Sequence, residues 1–280
     1  MNILDGLNLF VATYLKVLRG LGSSRLIAPF LLLGCLKGLA LAALVAFYLP
    51  PVYKILVPVL SYFYSDYMLH YPRYYLVLPQ IYGYATSLAI EFIFGVVILA
   101  SAVFVIGTDY KNEKGGFLEG IRTANKSLLA LFLLWLMKTA IVLLVNNFAG
   151  KFLFRVLQGL PFADFLSYFI IQIIGILIAA VLIIAIPAIM LHRKGLFESI
   201  GVSIRFFRGN PVFIFALLFV PWLIQLPVNY LVFSKVYFIM TKFSHSTLIY
   251  LLALDIVVGM LTVYLKYAGV TYFYLNKAES

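Results

Sequence analysis

Apolar positions dominate this chain, and polar ones interrupt it at recurring intervals. Six nearly unbroken apolar runs lie near residues 28–49, 83–107, 127–149, 165–190, 211–233 and 246–270. Each is long enough to supply the roughly 20 residues that an α-helix needs to cross a bilayer. The fifth run contains Pro221 and Pro227, which predict a kink because proline removes a backbone donor and crowds the preceding turn. Between runs the pattern becomes amphipathic. In 195–208, Leu196, Phe197, Ile200, Ile204 and Phe207 recur at helical spacing, while Glu198, Arg205 and Arg208 lie off that face. In 116–126, Phe117, Leu118 and Ile121 oppose Glu119, Arg122 and Lys126. Near the N-terminus, Ile3, Leu4, Leu7, Val11, Tyr14, Leu18 and Leu21 share a face, with Asp5, Asn8, Lys16 and Arg19 away from it. These three segments read as surface helices whose basic sides suit anionic lipid head groups.

Two of these segments carry related words, "GFLEGI" from Gly116 and "GLFESI" from Gly195, which start 79 residues apart. Asn210-Pro211 then ends one helix and opens the next, since proline is tolerated in a first turn. The predicted fold is an all-α polytopic membrane bundle forming one transmembrane domain over 1–280. It comprises three hairpin-like repeat units, about 1–107, 108–190 and 191–280, each made of a cytoplasmic amphipathic helix, a span, an outer loop and a returning span. Repeats of this kind are common in transporters and also arise by simple duplication.

The order of Gly, two apolar residues, Glu, a small residue, Ile, basic residues and a span opening near "NP" resembles a broad group of six-span prokaryotic membrane proteins. It is similar to the membrane domain fused to some glycerophosphodiester phosphodiesterases. The likeness covers residues 114–135 and 193–222. The phosphodiesterase domain of such fusions has no counterpart here, so the resemblance implies a membrane architecture and carries no enzymatic activity over.

Composition agrees with a lipid environment. Only 11% of residues are charged and the mean hydropathy is +1.07, against about 25% charged in soluble domains. The single cysteine, Cys35, excludes a disulfide within the chain. No basic region followed by a short apolar core and cleavage site opens the sequence, so the N-terminus is expected to be retained. The formal net charge is +11. Thirteen Lys and Arg fall on the side of both termini and six on the other, which predicts cytoplasmic termini in a plasma (inner) membrane. The basic residues sit where orientation and lipid require them, and nucleic-acid binding is not expected.

Apart from Lys266, which falls at the cytoplasmic end of the last run and is counted with that side, four charges remain inside the runs: Lys37, Glu91, Lys138 and Asp255. Counted from the outer ends of the runs, all lie roughly 12–18 Å deep at 1.5 Å per residue. A membrane-embedded ionisable group costs about 2.5–3.5 kcal/mol on insertion scales and marks a candidate site. The expected pairs are Glu91 with Lys138, on consecutive spans, and Lys37 with Asp255, joining first and last. Two readings stay open: ion pairs that pin helix register, or a polar site for an ion, a proton or a head group. Asn146, Asn147, Gln172, Gln225 and Asn229 could join such a site or serve as interhelical hydrogen-bonding groups. Gly34, Gly38, Ala42 and Ala46 recur every fourth residue beside Lys37, a spacing that lets a neighbouring helix approach closely. Internal packing is the preferred reading over a homodimer face.

The outer segment 50–82 contains eight tyrosines. It reads as an interfacial aromatic belt around a short helix bearing Val52, Ile55, Leu56, Val59, Leu60 and Phe63, or alternatively as a platform for a partner. No HExxH, GxSxG, phosphate-binding loop or CxxC is present. The histidines fall on opposite sides, and His70 has no neighbouring ligand. No catalytic residue, metal site or cofactor is therefore expected. The expected function is that of a non-enzymatic, transporter-like protein, or the membrane component of a transport or envelope assembly, handling a small polar or lipid-like substrate. The alternative is a structural or chaperone-like partner of another membrane protein.

Overall fold

The computed structural model describes residues 3–113, 115–157, 159–160 and 162–278. Lys114, Glu279 and the side chains of Ile3, Leu4, Asp5, Leu7 and Lys151 lie outside the described residues. Those that are described form helices and their connections, without a strand among them. Among the described residues, six helices are long and apolar enough to cross a membrane: 24–45, 74–110, 128–157, 163–192, 211–234 and 245–278. They coincide with the six apolar runs, with one main shift. The second begins at Tyr74 rather than near residue 83, so residues 74–82 belong to it and not to the outer connection.

Contacts divide the chain into two compact units. The first comprises residues 1–29, 96–221 and 264–280, and the second residues 30–95 and 222–263. The first unit draws on all three of the expected repeats and the second on the first and third, and the boundaries fall at Pro29, Gly95 and Pro221 and after Val263.

Within the first unit lie α1 (Ile3–Gly20), the opening of α2 (Ser24–Val45), α6 (Val96–Tyr110), α7 (Phe117–Lys126), α8 (Leu128–Leu157), α9 (Ala163–Leu182), α10 (Ala185–His192), α11 (Leu196–Gly209), the first part of α12 (Pro211–Asn229) and the end of α14 (His245–Ala278). Its core joins Val103 of α6, Ala124 of α7, Leu131 and Leu134 of α8, Leu182 of α9 and Ile189 of α10. The Tyr264 hydroxyl donates to the Val17 carbonyl at 2.8 Å, and the Tyr14 hydroxyl to that of Leu217 at 3.2 Å. Burial pushes the Tyr14 phenol well above its ordinary value. The Arg25 guanidinium donates to Thr108 Oγ1 (3.2 Å) and to the carbonyls of Glu113 (3.3 Å) and Gly115.

The three amphipathic segments are helices, but their packing faces differ from expectation. In α11 the fully buried residues are Ser199 and Ser203, whereas Phe197 is 85% exposed and Ile204 is also exposed. Leu196, Ile200 and Phe207 are half-buried. In α7, Gly120 and Ala124 are buried while Leu118 is 73% exposed. In α1, Thr13 and Val17 are buried, and Val11, Leu15 and Leu18 point outward. A Cβ on Gly120 would lie 2.9 Å from the Ser101 carbonyl oxygen, and the Ser203 hydroxyl donates to the Val181 carbonyl at 2.6 Å. Between spans in lipid, small and hydroxyl-bearing residues permit the closest approach, while bulky apolar ones are as well solvated by acyl chains as by protein. The helices α7 and α11 therefore dock by their small sides and present large residues outward, whereas α1 docks through Thr13 and Val17. The two related words superpose in role: Gly116 and Gly195 are extended residues preceding α7 and α11, Gly120 and Ser199 are buried, and Leu118 and Phe197 are exposed.

The second unit holds the rest of α2, α3 (Pro50–Leu60), α4 (Asp66–Leu69), α5 (Tyr74–Tyr84), a π-helix (Ala85–Gly95), the end of α12, a second π-helix (Tyr230–Ser234), α13 (Val236–Lys242) and the start of α14. Hydrogen bonding in α12 runs α-helically past Pro221 and Pro227 and widens at Tyr230. Three of the eight outer tyrosines are core residues rather than belt. Tyr74, Tyr75 and Tyr82 are buried among Leu44, Phe47, Leu78 and Leu252. Tyr74 stacks on Phe47 at 4.4 Å and donates its hydroxyl to the Leu44 carbonyl at 2.9 Å. Tyr53, Tyr62, Tyr67 and Tyr71 are exposed, with the Arg73 guanidinium over the Tyr67 ring. On α3, Ile55 and Val59 face outward while Leu60 is buried.

Candidate functional site

The second unit gathers three of the four charges expected inside the membrane. Lys37 comes from α2, Glu91 from the π-helix and Asp255 from α14. Lys37 Nζ lies 2.7 Å from Glu91 Oε1, with the two side chains 20% and 35% exposed. Lys37 is thus paired with Glu91 rather than with Asp255, and the expected Glu91–Lys138 pair gives way to it. The π-helix explains the change. Its i→i+5 hydrogen bonding widens the turn, so the direction of Glu91 departs from the one a regular α-helix would give it. At Gly95, four residues on, an added Cβ would sit 3.3 Å from that of Glu91.

Asp255 has a neutral partner. Gln225 Nε2 donates to Asp255 Oδ1 at 3.2 Å, and Thr262 Oγ1 donates to Gln225 Oε1 at 3.0 Å. Thr262 is fully buried, and Gly259 leaves room for the Gln225 amide, which would lie 3.4 Å from a Cβ there. The chain Thr262, Gln225, Asp255 fixes the amide with its donor toward the carboxylate. A cavity of about 30 Å³ meets Lys37, Gln225 and Asp255 together, flanked by Gly34, Gly259 and Met260. At about 10–15 Å³ per water, it accommodates roughly two waters or one small cation. With Lys37 committed to Glu91, the set holds one ammonium and two carboxylates, so an ionised Asp255 would leave one negative charge in excess. A low-dielectric site resists such an excess unless a proton or a cation offsets it.

Lys138, on α8, belongs to the first unit. It lines a separate cavity of about 70 Å³ whose walls are otherwise apolar or aromatic, including Leu131, Leu134, Trp135, Leu182 and Tyr267. Among the described residues it has no ion-pair or hydrogen-bond partner. Of the small residues beside Lys37, Gly34 faces Met260 Sδ and Ile256 Cγ2, 3.4 and 3.9 Å from an added Cβ. A Cβ on Gly38 would meet nothing within 4 Å, Ala42 is exposed and Ala46 is half-buried. Asn146 and Asn147 are exposed. Sequence reasoning placed Gln225 among general polar neighbours, and Thr262 went unmarked. The signal for Thr262 was its spacing, seven residues or two helical turns beyond Asp255 on α14.

Six apolar crossing helices, with ionisable groups held inside them, define the class: a multi-pass, all-α membrane protein. No protein-family model, curated protein or solved structure matches the chain.

Proposed function

We propose that this protein is a non-enzymatic, transporter-like membrane component that handles a small polar or lipid-like substrate and binds a proton or monovalent cation at Asp255. Lys37 and Glu91 form the fixed ion pair beside that site, and Gln225 and Thr262 orient the carboxylate. The observation carrying the reading is the cavity that touches Lys37 and Asp255 together. A purely structural charge layer would have its charges closely paired and dry. Here Asp255 has an amide partner, and Lys138 lines a cavity of its own. The finer architecture belongs to the proposal too: three surface-helix and hairpin repeats, both termini cytoplasmic, in the plasma (inner) membrane. It is supported by the matching roles of the Gly116 and Gly195 words and by the thirteen-to-six distribution of Lys and Arg. So does the resemblance to six-span prokaryotic membrane proteins, which brings no activity with it.

Carbodiimide labelling tests the site without knowledge of the substrate. Membrane-embedded carboxyls react when protonated and are protected when ionised or when a cation occupies them. Asp255 is expected to be modified, as read by mass spectrometry, with labelling that rises on acidification or falls on adding Na⁺ or K⁺. The Asp255→Asn variant should show none at that position. Labelling of Asp255 that is indifferent to pH and to cations overturns the reading.

A further inference from the structure

We infer that the Lys138 cavity is a binding site for an anionic amphiphile, an acyl chain bearing a carboxylate or phosphate, with Lys138 pairing to the anion and the apolar walls receiving the chain. This rests on the proposed handling of lipid-like substrates and names their class.

Three observations converge. First, Lys138 lies ten residues into α8, or roughly 15 Å along it at 1.5 Å per residue. That is mid-span, where an ammonium without a counter-charge is costly. Second, no described side chain supplies that counter-charge, although the protein provides one for Lys37 at similar depth. A ligand anion would supply it. Third, the space beside Lys138 is suited to hydrocarbon. Leu131, Leu134, Trp135 and Lys138 follow at helical spacing on α8, so one helix face carries the apolar wall and the cation together. The opposite walls come from α6, α9, α10 and the end of α14, with Tyr267 the other polar residue. About 70 Å³ admits a few methylene groups and excludes a bulky polar solute. A sugar or amino acid would leave its hydroxyl or amide groups unpaired against leucine and isoleucine, a cost that an acyl chain does not incur. An anionic head at this depth is also the arrangement needed by a protein that carries a charged lipid away from the interface.

Trp135 lines the cavity and is one of two tryptophans in the chain, so Trp222→Phe leaves a single reporter inside the site. In detergent, 9,10-dibromostearate should quench Trp135 saturably. Lys138→Gln should weaken that quenching about tenfold, the scale of one charge-assisted contact, and Lys138→Arg should largely retain it. Brominated phosphatidylglycerol serves as the phosphate arm and brominated diacylglycerol as the uncharged arm. Stronger quenching by the carboxylate or by the phosphate identifies the source of the anion. Equal quenching by the uncharged lipid, or no difference between wild type and Lys138→Gln, overturns the inference. Should Trp222→Phe fail to fold, native mass spectrometry of the wild type and Lys138→Gln with added oleate decides the same question, with loss of the bound mass expected only in the variant. Because this readout is at Lys138 and the carbodiimide readout is at Asp255, failure of one is distinguishable from failure of the other.

Discussion

Replacing Gly120 by alanine isolates the energetics of helix docking through small faces. Gly120 lies in the middle of α7, and its added Cβ would stand 2.9 Å from the Ser101 carbonyl oxygen and 3.1 Å from the Ser101 Cα. Both are backbone atoms of α6, so no rotamer change relieves the clash and α7 itself must shift. Overpacking of this kind costs about 1–3 kcal/mol. Alanine recovers about 1 kcal/mol of helix propensity over glycine, which partly masks the cost. Gly201→Ala supplies the correction. Gly201 lies inside α11, its Cβ would meet nothing within 4 Å, and it gains the same propensity without the clash. The difference between the two variants therefore reports the clash alone and should be about 1–3 kcal/mol. Thermal unfolding in detergent, followed by the fluorescence of Trp135 and Trp222, measures it: Gly120→Ala should unfold several degrees below Gly201→Ala. If Gly120→Ala unfolds at or above the temperature of Gly201→Ala, α7 does not dock on α6 through this face.

Glu91→Gln should destabilise the protein by about 1–2 kcal/mol by stranding the Lys37 ammonium, a figure reduced because both groups are partly exposed. The double variant Lys37→Met/Glu91→Leu should lose less in the same unfolding assay, and a loss equal to or above that of the single change refutes the pairing. Burial and the neighbouring Tyr75, Tyr71 and Tyr53 raise the Tyr48 phenol to about 12. Between its ordinary value near 10 and about 12 the unfolded chain ionises Tyr48 while the folded protein does not, so stability falls as pH rises through that window. Tyr48→Phe should remove part of the fall in unfolding temperature across it, and an unchanged pH profile counts against the shift. In a Cys35→Ser background, spin labels at Leu118 and Phe197 should be reached by oxygen as acyl-chain positions are, and labels at Arg122 and Arg208 by aqueous nickel complexes. Water-like accessibility at both 118 and 197 would show that these faces do not meet lipid.

The crossing helices were legible because length and unbroken apolarity suffice to define them. So were α7 and α11, whose starts follow the glycines of the two related words and whose second ends at Asn210-Pro211. Their packing side was not legible from an apolar stripe. That rule expects the large apolar residues to turn inward, whereas here Phe197 and Leu118 face out while Ser199, Ser203, Gly120 and Ala124 dock, because small residues let helices approach most closely. The tyrosines of 50–82 divided for a related reason: composition alone cannot separate a ring at the interface from Tyr74, whose hydroxyl is satisfied inside by Leu44. The hydrophobic pattern marked Lys37, Glu91, Lys138 and Asp255 as one layer, of which the first, second and fourth share a unit, but pairing depends on azimuth. The π-helix at 85–95 changes the azimuth of Glu91 without leaving a mark in the hydrophobic pattern.

The inward serines and outward phenylalanine of α11 invert the usual relation between side-chain size and tolerance to change. At Phe197, which is 85% exposed, exchanges among leucine, methionine and tryptophan leave the packing between the described helices undisturbed. At Ser203, a single added methyl group intrudes on the neighbouring helix, and loss of the hydroxyl strands the Val181 carbonyl. A mutational scan of this helix would therefore record its smallest residues as the least replaceable.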